Sequence, residues 1–155
     1  MLKTFSTGLA AAALAAALGA CTTTAGGGAA ANATHTGTPL VATLDGKAEV
    51  PGPGDADGNG EFSGWFDPAM GRICYTLGVG SLADPTMAHI HRGAAQVAGP
   101  VVVALANPAQ NIADTCQPVD PALINEIVAN PAGFYVNVHT KTHPGGAIRA
   151  QLQRP

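Results

Sequence analysis

Residues 87–93 have the sequence MAHIHRG, and residues 135–140 have the sequence YVNVHT. In both segments side chains of two kinds alternate, which is the pattern of a β-strand with one face on an apolar core. His89 and His91 therefore share one face of the first strand. If the second strand lies beside the first, His139 joins them on a polar patch above an apolar layer. These segments predict β-structure and the place where chemistry can occur.

Short apolar segments continue along the rest of the chain, separated by clusters of Gly, Pro, Asn and Asp. This spacing is typical of an antiparallel sandwich or barrel. The run of valines at 101–103 predicts a strand buried on both faces. Trp65 and Phe66 are adjacent, so one faces the core, and we predict that it is Trp65. We expect seven strands, at residues 40–44, 61–66, 72–79, 88–92, 101–105, 134–139 and 147–152.

One segment departs from the strand pattern and predicts a short helix. Asp120 and Pro121 precede the sequence ALINEIV at residues 122–128. A side-chain acceptor followed by proline at the first helical position favours a helix start. The apolar residues then recur at helical spacing, and Pro131 ends the segment.

Residues 1–20 are predicted to be a secretory signal. Lys3 supplies a positive charge, and the Ala/Leu run at 9–18 is too short to span a bilayer comfortably. The sequence LGAC at residues 18–21 resembles a bacterial lipobox, in which the signal is cut before a cysteine that is then lipidated. We therefore expect a lipid anchor on Cys21 that holds the protein at a membrane.

The segment after the cysteine indicates organisation and location. Residues 21–39 are rich in Thr, Ala and Gly and are predicted to be a flexible tether, with one domain at 40–155. Thr22, and not Asp, follows the cysteine, which resembles the outer-membrane address of Gram-negative lipoproteins. We predict a protein of the bacterial cell envelope, anchored at the outer membrane and facing the periplasm or the surface.

Charge and motifs exclude several function classes. The formal net charge is −3, and removal of Lys3 makes it more negative, so no nucleic-acid surface is expected. No phosphate-cradling loop occurs, and Ser63 and Ser81 lack a nucleophile-elbow context. We therefore predict no catalytic residue.

Two cysteines remain after removal of the signal, Cys74 and Cys116. An even pair in an exported protein predicts a disulfide, which would close a loop of about 40 residues and contribute on the order of 4 kcal/mol. Metal ligation by the pair is the alternative, but neither cysteine belongs to a CxxC motif.

Three blocks of the chain, in order, resemble the CHRD domain family, named after chordin and found in many bacterial exported proteins. They are LDGKAEVP at 44–51, AHIHRGAA at 88–95 with GPVV at 99–102, and YVNVHT at 135–140 with PGGAIRAQL at 144–152. The resemblance implies an extracytoplasmic, immunoglobulin-like Greek-key β-sandwich. It implies no settled biochemical activity. Many members carry Ala or Thr where this chain has Met87.

The histidine patch has three interpretations. Neutral imidazoles are good ligands for copper and zinc, so His89, His91 and His139 can form a metal site. Met87 lies on the same face and would favour Cu(I), and His143 in the following turn could assist. The histidines can instead tie strands together by hydrogen bonds, or form a recognition patch for a partner protein or glycan.

The sequence DADGNG at residues 55–60 matches the first half of an EF-hand loop. The twelfth position, which should be Glu, is Phe66, and strands rather than helices flank it. A hairpin turn is the favoured interpretation.

These observations predict a lipid-anchored extracytoplasmic protein that binds a transition metal, copper before zinc, through its histidines. A non-catalytic adhesion or interaction module of the cell envelope, with structural histidines and an unknown protein partner, is the alternative. A copper redox enzyme is a weaker third possibility.

Overall fold

The computed structural model of the chain describes residues 35–155. The predicted signal, the lipidation site Cys21 and the tether up to residue 34 lie outside these residues. Within the described part, no helix is long and apolar enough to cross a membrane.

The described residues form eight antiparallel strands in one sheet, with one α-helix and two 3-10 turns. The sheet order is β5-β4-β7-β8-β1-β2-β3-β6. This arrangement confirms the predicted antiparallel all-β class with one short helix. The strands are β1 Thr38–Asp45, β2 Asn59–Asp67, β3 Arg72–Gly80, β4 Pro85–Arg92, β5 Val101–Leu105, β6 Ile112–Pro118, β7 Phe134–Thr140 and β8 Ile148–Gln151; the 3-10 turns are Pro108–Gln110 and Pro131–Gly133.

The sheet has two four-stranded halves that meet where β8 adjoins β1. That junction is narrow, because β1 and β8 pair only at Asp45 and Arg149, with one further bridge after β8. At the opposite side the edge strands β5 and β6 approach each other, and Gln117 Nε2 donates a hydrogen bond to the carbonyl oxygen of Ala104 at 2.8 Å. This closure is compatible with the predicted sandwich.

The core follows from the alternation of side chains along the strands. Inward positions carry large apolar groups, whereas the intervening positions are mostly polar, small or exposed. One continuous cluster results, to which every strand except β6 contributes a buried apolar side chain. Its largest fully buried members include Phe62, Phe66, Tyr75, Ile90 and Phe134.

The predicted helix is confirmed as α1, Pro121–Ala129. Asp120 Oδ1 accepts a hydrogen bond from the backbone N–H of Ala122 at 2.8 Å, and Pro121 takes the first turn. Ile124 and Ile127 are fully buried, so one face of the helix packs on the core.

Three expectations about strands were wrong. Strand β6 was not predicted, because its sequence IADTCQP contains a single strongly apolar residue and it lies at an edge. Residues 101–103 are not buried on both faces: β5 is the other edge strand, and Val101 is 49 % exposed. Phe66, not Trp65, faces the core, because Phe62 and Phe66 share the inward face of β2.

The predicted disulfide between Cys74 and Cys116 is present and joins β3 to β6. The two residues are direct partners across the strand pair. Their sulfur atoms are bonded to each other, so in this state they offer no thiolate to a metal ion.

Candidate metal centre

Three histidines converge on one face of neighbouring strands, as the sequence predicted. His89 and His91 alternate along β4, and His139 lies on β7, which pairs with β4. One ring nitrogen from each lies within 4.8 Å of the others. The ring centroids are 5.5 Å apart for His89–His91, 5.0 Å for His89–His139 and 6.2 Å for His91–His139.

Backbone carbonyls fix the orientation of two of the three rings. His91 Nδ1 lies 2.9 Å from the carbonyl oxygen of Gly99, and His139 Nδ1 lies 3.0 Å from that of Pro144. Because a carbonyl oxygen can only accept, both Nδ1 atoms donate, and in the neutral rings both Nε2 atoms carry a lone pair. This is the arrangement that ligating histidines adopt, with one nitrogen for the metal and the other held by the protein.

The lone pair on His91 Nε2 has no hydrogen-bond partner although the atom is buried. A buried polar atom left in this way costs about 1–3 kcal/mol. A cation at this nitrogen would offset that cost. Among the described residues, His91 Nε2 is the one buried side-chain nitrogen or oxygen without a hydrogen-bond partner.

The third ring, that of His89, is held by a hydrogen bond to the ring of His139. His89 Nδ1 lies 3.1 Å from His139 Nε2. Since His139 donates through Nδ1, its Nε2 accepts, and the proton between the two rings belongs to His89. A metal ion shared by these rings would have to replace that proton.

Burial keeps the cluster uncharged. It is the main cause that lowers the pKa of all three imidazoles, His89, His91 and His139. Neighbouring histidines lower the pKa of His89 and His91 further, and Arg149 acts on His91 in the same direction. The carbonyl contacts at Gly99 and Pro144 partly oppose these effects. The imidazoles are therefore neutral, and able to ligate, at neutral pH.

A second layer of side chains holds His91 in place. Its ring stacks on Tyr135 at 4.8 Å with planes 9° apart. The Tyr135 hydroxyl accepts a hydrogen bond from the N–H of Gly99 at 3.1 Å, which positions the carbonyl that binds His91. Gly99 must be glycine, because a Cβ there would lie 1.6 Å from the backbone oxygen of Arg92. The guanidinium of Arg149 lies over the Tyr135 ring, 3.6 Å from the ring centroid.

A buried polar network lies beside this layer. Glu49 is 6 % exposed and accepts a hydrogen bond from the side-chain amide of Asn137, itself the strand partner of His89. Burial raises the pKa of Glu49 to about 7, although Arg149 and the hydrogen bonds act in the opposite direction. Glu49, Asn137 and Tyr135 are not recognisable as a group in the sequence, because only the fold brings them together.

The two predicted accessory ligands, Met87 and His143, lie on β4 and in the turn after β7. Met87 is the strand partner of His139 and is 48 % exposed. His143 lies in the turn after β7, where its Nδ1 is 3.1 Å from the hydroxyl of Thr142 and 3.9 Å from Asp55 Oδ2. Among the histidines, cysteines and acidic residues that the structure describes, the group around β4 and β7 consists of His89, His91 and His139.

The segment that resembles half an EF-hand forms a turn before β2. Asp55 Oδ1 accepts hydrogen bonds from the backbone N–H groups of Asp57 at 3.4 Å and Gly58 at 3.1 Å. Phe66, at the twelfth position, is fully buried. These contacts agree with the interpretation of this segment as a turn.

Comparison with known proteins places the chain in a family. Neither the curated proteins nor the solved structures contain a match. The profile of the CHRD domain matches residues 40–152, from β1 to the residue after β8. These residues include all eight strands apart from the first two positions of β1, as well as the three converging histidines. The chain therefore belongs to the CHRD domain family.

Proposed function

We propose that this CHRD-domain protein binds a transition-metal ion, copper before zinc, through His89, His91 and His139. The observation that carries the proposal is the buried, unpartnered Nε2 of His91. It lies in a group of three neutral imidazoles whose ligand atoms fall within 4.8 Å. Two of the rings already donate their other nitrogen to a carbonyl, as ligating histidines do.

The donor set favours copper and zinc over harder ions. Imidazole suits both metals, and a nitrogen site of this kind binds Cu²⁺ more tightly than Zn²⁺ in the general affinity order. The thioether of Met87, on the strand position opposite His139, would add a soft donor for Cu(I) at the exposed side. Storage, handling or protection against the ion are the activities that such a site supports.

The proposed setting is the bacterial cell envelope. The lipobox-like sequence before Cys21 supports lipid anchoring of the mature chain. The disulfide between Cys74 and Cys116 supports an oxidising compartment. An anchored site facing the periplasm or the surface would meet metal ions before they reach the cytoplasm.

A non-catalytic interaction module remains the second candidate. The hydrogen bonds of the histidines to each other and to Gly99 and Pro144 would by themselves tie β4 to β7 and to two loops. In that case the imidazoles stabilise the fold and bind no ion.

Metal titration separates the two candidates. We expect the wild-type protein with its disulfide intact to bind one Cu(II), measured by calorimetry. We expect the variants His89→Ala, His91→Ala and His139→Ala each to weaken binding strongly. The loss of affinity should exceed the 10–100-fold loss that is typical when a residue that only hydrogen-bonds to a metal ligand is replaced. His143→Ala is the matched control and should leave the affinity nearly unchanged. If the wild type binds no tighter than the triple-alanine variant, the patch is structural, and the same substitutions should lower the melting temperature.

The pH dependence supplies a second test. Because burial lowers the pKa of each of the three imidazoles below its usual value of 6.5, more than half of each ring population is neutral at that pH. Affinity should therefore be nearly level from pH 8 to about pH 6.5 and fall only as the pH drops further.

A further inference from the structure

We propose that reduction of the disulfide creates a second, soft-metal site for Cu(I), formed by His35, Cys74 and Cys116. This site shares no ligand with the histidine cluster, so the inference stands independently of the proposed function. The two sulfur atoms and one ring nitrogen of His35 lie within 4.8 Å of one another. The set therefore offers two thiolates and an imidazole, donors that suit Cu(I).

The third ligand is held in place beside the sulfur atoms. The His35 side chain is 9 % exposed and pairs with Asp114 of β6. Its ring lies 5.1 Å from the ring of Trp65, which is the strand partner of Cys74. His35 therefore packs on the outer face of β2, β3 and β6, although it was predicted to belong to the flexible tether.

The two cysteines stay adjacent after the bond between them opens. They are direct partners on antiparallel strands, with Cα atoms 3.9 Å apart. On both sides of this pair β6 remains paired with β3, from Arg72 with Pro118 to Leu77 with Ile112. The side chain of Gln117 also binds β5, as described above. Reduction thus frees two thiols on neighbouring strands, β3 and β6, which other contacts hold together.

One of the two sulfur-bearing residues is open to solvent. Cys116 is exposed, whereas Cys74 is 2 % exposed. Cys116 lines a surface cavity of about 310 Å³ together with Met70 and Arg72. Met70, which is 60 % exposed, contributes a thioether, another soft donor, to the lining of the same cavity.

The electron balance requires a dithiol reductant. Its thiolate attacks Cys116 Sγ, a mixed disulfide forms, and the Cys74 sulfur leaves as a thiolate that takes up a proton. The second thiol of the reductant then attacks the mixed disulfide and releases the Cys116 thiol. The reductant becomes a disulfide and has delivered two electrons and two protons. Cu(I) binding next displaces both thiol protons and forms two copper–sulfur bonds, with the His35 nitrogen as third ligand.

Cu(I) stoichiometry in the two redox states tests this inference. The full chain is reduced with dithiothreitol, freed of reductant without oxygen, and titrated with Cu(I) against a chromogenic chelator. We expect the reduced protein to bind one equivalent more than the oxidised protein, with thiolate-to-copper charge-transfer absorption and protection of both thiols from alkylation. His35→Ala should weaken this additional equivalent at least tenfold, and the Cys74→Ser/Cys116→Ser variant should lose it.

Three results would overturn the inference. They are equal stoichiometry in the two redox states, an additional equivalent that His35→Ala does not weaken, and loss of the β-sheet circular dichroism on reduction before copper is added. Failure of the histidine cluster to bind copper can be distinguished from failure of the site at His35, Cys74 and Cys116. It would remove binding from the oxidised protein and leave the increment on reduction unchanged.

Discussion

Replacing Glu49 with Gln should stabilise the protein at alkaline pH and leave it little changed in acid. The carboxyl group is buried beside Asn137 and Arg149, and Gly54 and Gly146 leave just enough room for it, since a Cβ at Gly146 would lie 2.4 Å from Glu49 Oε2. Glutamine has the same shape and keeps an oxygen for the amide of Asn137. It removes only the charge that Glu49 acquires on ionisation.

The magnitude follows from the difference between the folded and unfolded states. Burial raises the pKa of Glu49 from 4.5 to about 7. A raised carboxyl pKa contributes stability that is fully present below pH 4.5 and is lost as the pH rises through 7, because the unfolded chain ionises first. At about 1.4 kcal/mol per pH unit, the 2.5-unit difference amounts to roughly 3 kcal/mol.

Urea unfolding from pH 4.5 to pH 8 measures this effect. The free energy of unfolding of Glu49→Gln, minus that of the wild type, should rise by about 3 kcal/mol over this range. Subtraction removes the opposite contribution of the histidines, whose lowered pKa values reduce stability as the pH falls below 6.5. Glu61→Gln, which changes an exposed carboxylate of β2, is the control and should give a flat difference. A flat difference for Glu49→Gln as well would refute the reasoning and show that Glu49 is ionised beside Arg149 throughout.

Three further predictions concern the metal site, the disulfide and the anchor. Tyr135→Phe removes the hydroxyl that binds the N–H of Gly99, and should lower copper affinity about tenfold in calorimetry; unchanged affinity would mean that this contact does not position a ligand. Replacing Cys74 and Cys116 with Ala should lower the free energy of unfolding by up to about 4 kcal/mol in urea, since the bridge spans 42 residues; equal stability would contradict that estimate. Cys21→Ala should release the protein from membrane fractions, and an unmodified residue 21 in the intact mass of native protein would rule out the anchor.

Local sequence patterns were sufficient to predict many of the strands and the helix. Alternation in the segments around His89 and His139 predicted two strands on one sheet, and the structure pairs them. The Asp120–Pro121 start predicted α1. The structure of such segments can be predicted because the periodicity of their apolar residues is local and does not depend on the rest of the chain.

The errors arose where neighbours, not local sequence, decide the outcome. Strand β6 forms because β3 offers it partners and Cys74 bonds to Cys116, although its own residues are mostly polar. The valines at 101–103 resemble a central strand, yet no further strand covers β5. Trp65 was assigned to the core, whereas the spacing of Phe62 and Phe66 fixes the face of β2 that points inward.

The candidate metal site also has a part that could be predicted from the sequence and a part that could not. Its three ligands were predictable, because His89 and His91 share a strand face and His139 needed only to lie on the neighbouring strand. The carbonyls of Gly99 and Pro144 were not predictable, since their position depends on loops that close over the sheet. The stacking of Tyr135 and Arg149 also requires side chains from β7 and β8 to meet in three dimensions.

The contact between the two edge strands has a consequence for how copies of the protein behave together. An unpaired strand edge is a template on which a second chain can add, and this leads to aggregation. Here Gln117 of β6 binds the backbone of β5. Pro100 precedes β5 and Pro118 ends β6, and neither has an N–H to offer a foreign strand. Molecules crowded side by side at high density would thus remain separate instead of polymerising through their sheets.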